Sequence, residues 1–233
     1  MTETGYRTAL IVGVGSGLSA SLVRLFAKAG LKVALAARRA ANLAALAQEA
    51  GAKSFACDAT DRAEVAKLFS DVEGAFGAPD VVVYNASYRT RGPFIELDPE
   101  EVQKSLIVTA FGGFLVAQEA AKRMVPKQHG AIFFTGASAS VKGYAQSAPF
   151  AMGKFALRGL AQSMARELSP HGIHVAHVVI DGGIKSERRP NPPDKPDSML
   201  DPDAIAQSYF DLLRQPRSAW AWEIELRPWL EKF

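Results

Sequence analysis

Short apolar runs alternate along this chain with longer stretches in which apolar positions recur at helical spacing. The runs Thr8–Val12, Lys32–Ala36, Ser54–Ala56, Asp80–Tyr84, Ala131–Thr135 and His174–Ile180 predict strands, with amphipathic helices between them. Strands that are apolar nearly throughout are buried on both faces, and helices placed between them supply the cover. Right-handed crossovers then wind the chain into a doubly wound parallel sheet of α/β class. No repeat or composition shift divides residues 1–233, so one domain is expected.

Two helix starts carry Asp, Pro and acidic residues in succession, Asp98-Pro99-Glu100-Glu101 and Asp201-Pro202-Asp203. Such carboxylates cap free N–H groups and meet the positive end of the helix dipole, which explains them better than a catalytic pair does. Long helices are predicted over Pro99–Val125 and Ala148–Leu168. The proline-rich stretch Pro190–Pro202 breaks the pattern, and residues 184–203 are expected to form a substrate-binding loop or lid. Near the end, the segment from Trp222 begins with the alternation of a last strand, and Trp220, Trp222, Trp229 and Phe233 are expected to serve packing or a subunit contact.

Composition narrows the partners. With 48% apolar and 22% charged residues and a net charge of +3 over 233 residues, the field is too weak to call for nucleic acid or an anionic membrane, which leaves a small molecule. Cys57 is the sole cysteine, so an internal disulfide and a cysteine-rich zinc site are both excluded. The longest apolar stretch, Ile107 to Ala117, falls short of the roughly 20 residues that span a bilayer. With no secretory pattern at the start, a cytoplasmic location is expected. His171, His174 and His177 mimic a metal motif, but residues three apart on a strand point to opposite faces, so no metal is expected there.

Chemistry begins at the end of the first strand, where Gly13-Val14-Gly15-Ser16-Gly17-Leu18-Ser19 leads into a helix predicted from Ser21 to Ala29 and stopped by Gly30. Glycines at a strand-to-helix turn let the backbone, here Gly13, Gly15, Ser16, Gly17 and Leu18, approach a pyrophosphate at the helix N-terminus. About 20 positions on, an NAD site usually places an acidic residue on the ribose. This chain has Ala37, Arg38 and Arg39 instead, and a guanidinium forks onto a 2′-phosphate. NADP(H) is the expected cofactor; the competing explanation is that both arginines form a solvated helix start.

These residues resemble the short-chain dehydrogenase/reductase family, whose first motif is TGxxxGxG: Gly13 and Gly17 match, Val12 stands for the Thr and Ser19 for the last Gly. Cys57-Asp58-Ala59 resembles the family's adenine-contacting segment, and Tyr84-Asn85-Ala86-Ser87 its NNAG strand end. The resemblance implies a Rossmann fold, an Asp58 that accepts from the adenine amino group, and an Asn85 that supports the cofactor pocket. It further implies that Asp181-Gly182-Gly183-Ile184 meets the nicotinamide amide, and that the two long helices pair copies of the chain into a homodimer or homotetramer.

In that family a Tyr four residues before a Lys passes the proton, a Ser orients the substrate oxygen and an Asn holds a water. Lys154 fits the Lys, Ser138 lies near the Ser, Thr109 stands at the Asn position and Phe150 at the Tyr position. Strict spacing from Phe150 lands on Ala137, one residue from Ser138. Tyr144, on the loop between Ser138 and Phe150, could supply a displaced phenol, and Ser147 holds the spacing of the enoyl-reductase Tyr, but a plain loop residue is the better reading of each, Ser147 above all. Two functions follow: an NADPH-dependent oxidoreductase acting on a small carbonyl, enone or imine through a non-standard proton donor, or a catalytically retired NADP(H)-binding sensor or structural partner.

Overall fold

The computed structural model describes residues 5–186 and 189–231. Seven strands form a single sheet: β1 (Thr8–Val12), β2 (Lys32–Ala37), β3 (Lys53–Ala56), β4 (Val81–Tyr84), β5 (Gly130–Thr135), β6 (Ile173–Ile180) and β7 (Glu223–Leu226). Their order is β3-β2-β1-β4-β5-β6-β7, and all neighbours run parallel. The order reverses between β1 and β4, which opens a crevice beyond the carboxyl ends of the strands.

Successive strand residues feed opposite cores, as a pleated strand requires. Ile11, Leu35, Val83 and Phe133 face α1 (Leu18–Lys28) and α7 (Pro202–Arg214), while Val12, Ala36, Tyr84 and Phe134 face the other helical layer. That layer consists of α3 (Arg62–Phe76), α5 (Gly112–Met124) and α6 (Ala148–Leu168), with the short α2 (Ala44–Ala50) beside α1 and α4 (Pro99–Leu106) against α6. Asp61, Asp98 and Asp201 each accept main-chain N–H groups at a helix start, so the acidic residues at 98 and 201 are caps, as their spacing indicated.

The helix expected from Pro99 to Val125 is not continuous. Between α4 and α5 the residues Ile107–Phe111 form a π-helical turn, and α5 ends at Met124 in a short 3-10 turn. The wide turn releases the Val108 carbonyl, which accepts from the Tyr84 hydroxyl. Gly112 and Gly113 then sit directly on Tyr84, where any Cβ would intrude. The first helix starts at Leu18 rather than Ser21, and α6 has the predicted limits.

Ile184 pairs with Leu200 across the segment expected to be a lid, and α7 starts at Pro202. Trp220 stacks on His174, with ring centroids 4.8 Å apart, and Trp222 packs against a core cluster, while Trp229 is exposed; Phe233 lies outside the described residues. Among the described residues, no helix is long and apolar enough to cross a membrane.

Candidate cofactor and substrate clefts

Two clefts adjoin at the carboxyl ends of the strands and share Asn85 and Ser87. The first, of about 470 Å³, is lined by Gly13, Ala37, Arg38, Cys57, Asp58 and Ala59, with Ala86 at its junction with the second. Gly13 has φ +86°, and a Cβ there would lie 2.3 Å from the Ala86 nitrogen, so only glycine fits. Asn85 donates to the Ser19 hydroxyl at 2.7 Å, and that hydroxyl donates to the Gly13 carbonyl at 3.1 Å. Ser19, the departure from the glycine motif, thus braces the turn.

The N-terminus of α1 has no side-chain cap and no acidic residue in its first turn. Its free N–H groups and dipole are therefore open to an anion, and the glycine-rich turn fits a dinucleotide phosphate. Gly15 and Ser16 are exposed and Gly17 half-buried at this turn, whereas the Leu18 side chain belongs to the core and leaves only its main chain for binding. Asp58 accepts from both the nitrogen and the hydroxyl of Thr60, and these bonds, with the nearby Arg38 charge, hold its carboxyl below the ordinary range despite opposing desolvation. Burial pushes the Cys57 thiol up to about 12, so it stays protonated and inert. Arg38 lines the cleft; Arg39 is exposed and lines neither cleft.

The second cleft, of about 570 Å³, brings together Ser138, Tyr144, Ser147, Phe150, Lys154 and the Gly182-Gly183-Ile184 backbone. Lys154 is 3% exposed, and its Nζ donates to the Thr135 carbonyl at 2.7 Å. Burial lowers the ammonium to about 8. The Phe150 ring lies between two cations, with Lys154 Nζ 5.7 Å and the Arg89 guanidinium carbon 5.0 Å from its centroid. The Ser138 hydroxyl bonds Asp181; although burial works against the charge, that bond and the cations of Lys142 and Arg227 hold the carboxyl below its usual value. Tyr144 is 48% exposed on the rim.

Thr109 is absent from the walls of this cleft. It is fully buried in the π-helical turn, where its Oγ1 accepts from the Tyr88 nitrogen at 3.3 Å, and it packs against Gly153. Beneath the cleft runs a partly buried polar chain: Arg158 donates twice to Glu223, at 2.6 and 2.7 Å, and the buried His177 donates through Nδ1 to the same carboxylate at 3.0 Å. That bond leaves Nε2 as the acceptor for Ser140, 3.3 Å away, whose oxygen in turn accepts from the Ala137 nitrogen. His174 faces elsewhere and donates to the Ala221 carbonyl, so the histidines do not converge. Among the described residues, no group of three ligating side chains stands ready for a metal.

Several lining residues had not been singled out from the sequence. Thr60, Tyr88 and Lys104 border the first cleft, and Arg89, Arg91, Arg189 and Glu231 border the second. The only signal for Arg89 and Arg91 was their pairing in Tyr88-Arg89-Thr90-Arg91, directly after the strand end.

A parallel sheet with its crevice at the order reversal, a glycine turn under an uncapped helix and a buried lysine beside a second cleft define a dinucleotide-binding α/β architecture. The chain belongs to the short chain dehydrogenase family, whose model matches residues 7–195. It is similar to short chain aldehyde dehydrogenase 1 of Euphorbia lathyris, 31% identical over 180 residues that cover 72% of this chain and 61% of that one. The match thus spans about three fifths of that longer relative. A short-chain dehydrogenase from Rhodopseudomonas palustris is 34% identical with a TM-score of 0.82, covering 96% of this chain and 99% of that one. A metagenomic short-chain oxidoreductase in complex with NADP is 27% identical with a TM-score of 0.83, covering 96% and 98%.

Proposed function

We propose that this protein is an NADPH-dependent reductase of a small carbonyl, enone or imine in which Lys154 replaces the family's tyrosine as proton source. The observation that carries this reading is the Lys154 ammonium, buried in the second cleft with a pKa lowered to about 8, beside a ring that has no proton to give. A general acid works best when its pKa is near the working pH.

Arg38 meets the 2′-phosphate, the α1 N-terminus the pyrophosphate, and Asp58 the adenine amino group. The NADP bound to the metagenomic neighbour supports this choice of cofactor. When bound, NADPH supplies a hydride. Ser138 turns its hydroxyl from Asp181 to orient the substrate oxygen, Gly182 to Ile184 align the carboxamide through their backbone, and Lys154 Nζ delivers the proton, directly or through a water. The substrate gains hydride and proton, and NADP⁺ and the neutral amine remain; the amine takes its proton back from solvent. The segment 184–203, of which 187 and 188 lie outside the described residues, serves the substrate as a binding loop, and Tyr144 on the rim is a second route for the proton.

A retired sensor is favoured by one observation: Thr109, at the family's Asn position, spends its hydroxyl on the Tyr88 backbone and stays out of the cleft. A panel of aldehydes, ketones, enones and imines incubated with NADPH decides between the readings. Oxidation of NADPH above a Lys154→Ala control supports the reductase; tight NADPH binding with no turnover supports the sensor.

The chain acts as a homodimer or homotetramer in a reducing cytoplasm. Phe111, Phe114, Met152 and Phe155 leave an apolar face exposed on the π-helical turn, α5 and α6, which a second copy covers. Light scattering at monomer mass would overturn that assignment.

A further inference from the structure

The second cleft is cationic beyond anything that hydride chemistry requires. Its described walls carry Lys154, Arg89, Arg91 and Arg189 against a single carboxylate, Glu231. Arg89 and Arg91 come from the loop after β4 and Arg189 from the loop after β6, so the tertiary fold brings the three guanidiniums to one cavity. None of the three has a carboxylate partner among the described residues. Arg24, Arg123 and Arg158, by contrast, pair with glutamates.

Two of the guanidiniums are also held in place. Arg89 lies over the Phe150 ring, 5.0 Å from its centroid, which orients the planar group without consuming its hydrogen-bond donors. Arg189 lies against Gly183, where a Cβ would approach its Nη1 to 3.3 Å, and Ser186 and Arg189 exchange both main-chain hydrogen bonds. Partial burial lowers the Arg89 guanidinium first, and the charges of Arg91 and Arg189 lower it further. Three like charges gathered in one cleft repel one another, and an anion relieves that repulsion.

We infer that the substrate of this cleft carries an anionic group, a carboxylate or a phosphate, which Arg89, Arg91 and Arg189 clamp while the reducible group lies toward Lys154 and Ser138. This deepens the reductase reading and rests on it for the position of the reacting end. Phe150 then has a task of its own: its ring is the platform that aims Arg89.

Unreactive probes test the clamp apart from turnover. The protein saturated with NADP⁺ is titrated calorimetrically with p-toluate, p-tolyl phosphate and the neutral methyl p-toluate. At least one anion is expected to bind about 10- to 100-fold more tightly than the ester, the range of charge-assisted hydrogen bonds, and the tighter anion identifies the group. The Arg89→Gln/Arg91→Gln/Arg189→Gln variant is expected to lose that preference while its NADP⁺ affinity stays within about twofold, less than one lost hydrogen bond. Equal binding of ester and anions, no saturable anion binding, or a preference that survives in the variant overturns the inference. Loss of NADP⁺ affinity in the variant also overturns it, because the arginines would then serve the cofactor. Benzaldehydes bearing the same groups test the reductase separately: anion binding without NADPH oxidation removes the reductase and leaves the clamp.

Discussion

The ammonium of Lys154 is tied to the Thr135 carbonyl at 2.7 Å, so its position is set by the last residue of β5 rather than by the loops that shape the cleft. Desolvation there lowers its pKa to about 8, far from the 10.5 of a free lysine. The protonated form is the acid, so reduction is expected to be level below pH 8 and to fall as pH rises through that value. The reverse oxidation needs the neutral amine and should rise over the same range. Initial rates across pH 6–10 check both limbs; parallel limbs would remove Lys154 as proton carrier.

Phe150 places a ring 5.7 Å from that ammonium. Phe150→Tyr adds a phenol within reach of Lys154, and turnover of a neutral ketone is expected to rise by about 10²- to 10⁴-fold, the usual worth of a positioned acid. Steady-state kinetics on wild type and variant measure the gain. An unchanged rate in a variant that binds NADPH normally would point to the retired centre.

Arg38 borders the first cleft beside Asp58, and Arg39 does not. Arg38→Ala is therefore expected to weaken NADPH by about 10- to 100-fold, the value of hydrogen bonds to a charged group, and to weaken NADH much less. Arg39→Ala should have the smaller effect of the two. Fluorescence titration with both cofactors reads the difference, and a larger effect at Arg39 would reassign the 2′-phosphate.

The Glu223 carboxylate joins Arg158 and His177 below the active loops. Burial holds the His177 imidazole down at about 4, against its ordinary 6.5, so the unfolded chain binds the proton more readily. Stability contributed by the neutral ring is fully present above pH 6.5 and is lost as pH falls toward 4. Melting temperatures measured from pH 8 to 4.5 should decline through that window, and His177→Gln should flatten the decline. Glu223→Gln is expected to cost about 1–3 kcal/mol in denaturant melts, because it weakens three charge-assisted bonds at once.

Much of this architecture was legible in advance because apolar runs and capping residues carry it. The limits of β1 and α6 matched the pattern, since Thr8–Val12 is apolar after its first residue and Ser147 and Pro149 mark the start of α6. The first cleft was readable through its glycines, which obey a local steric rule visible at Gly13. Other features depend on partners distant in sequence. Ile107–Phe111 looks like ordinary helix until Tyr84 and Tyr88 are brought against it. Arg189 stands about a hundred residues from Arg89, and no periodicity links two loops that only the sheet order brings together. Arg39 was indistinguishable from Arg38 in the sequence, because which of two adjacent side chains enters a cleft depends on how β2 ends.

The π-helical turn at Ile107–Phe111 also works as a phase shifter. One residue more than an α-turn needs rotates everything downstream by about 100°, and that angle is what seats Gly112 and Gly113 on Tyr84 instead of Phe111 or Phe114. Winding the same residues as regular α-helix would leave a smoother helix with the wrong side facing inward. A bulky ring would then be driven into the floor shared by α5 and β4, so an apparently harmless straightening of the turn would disturb the sheet itself.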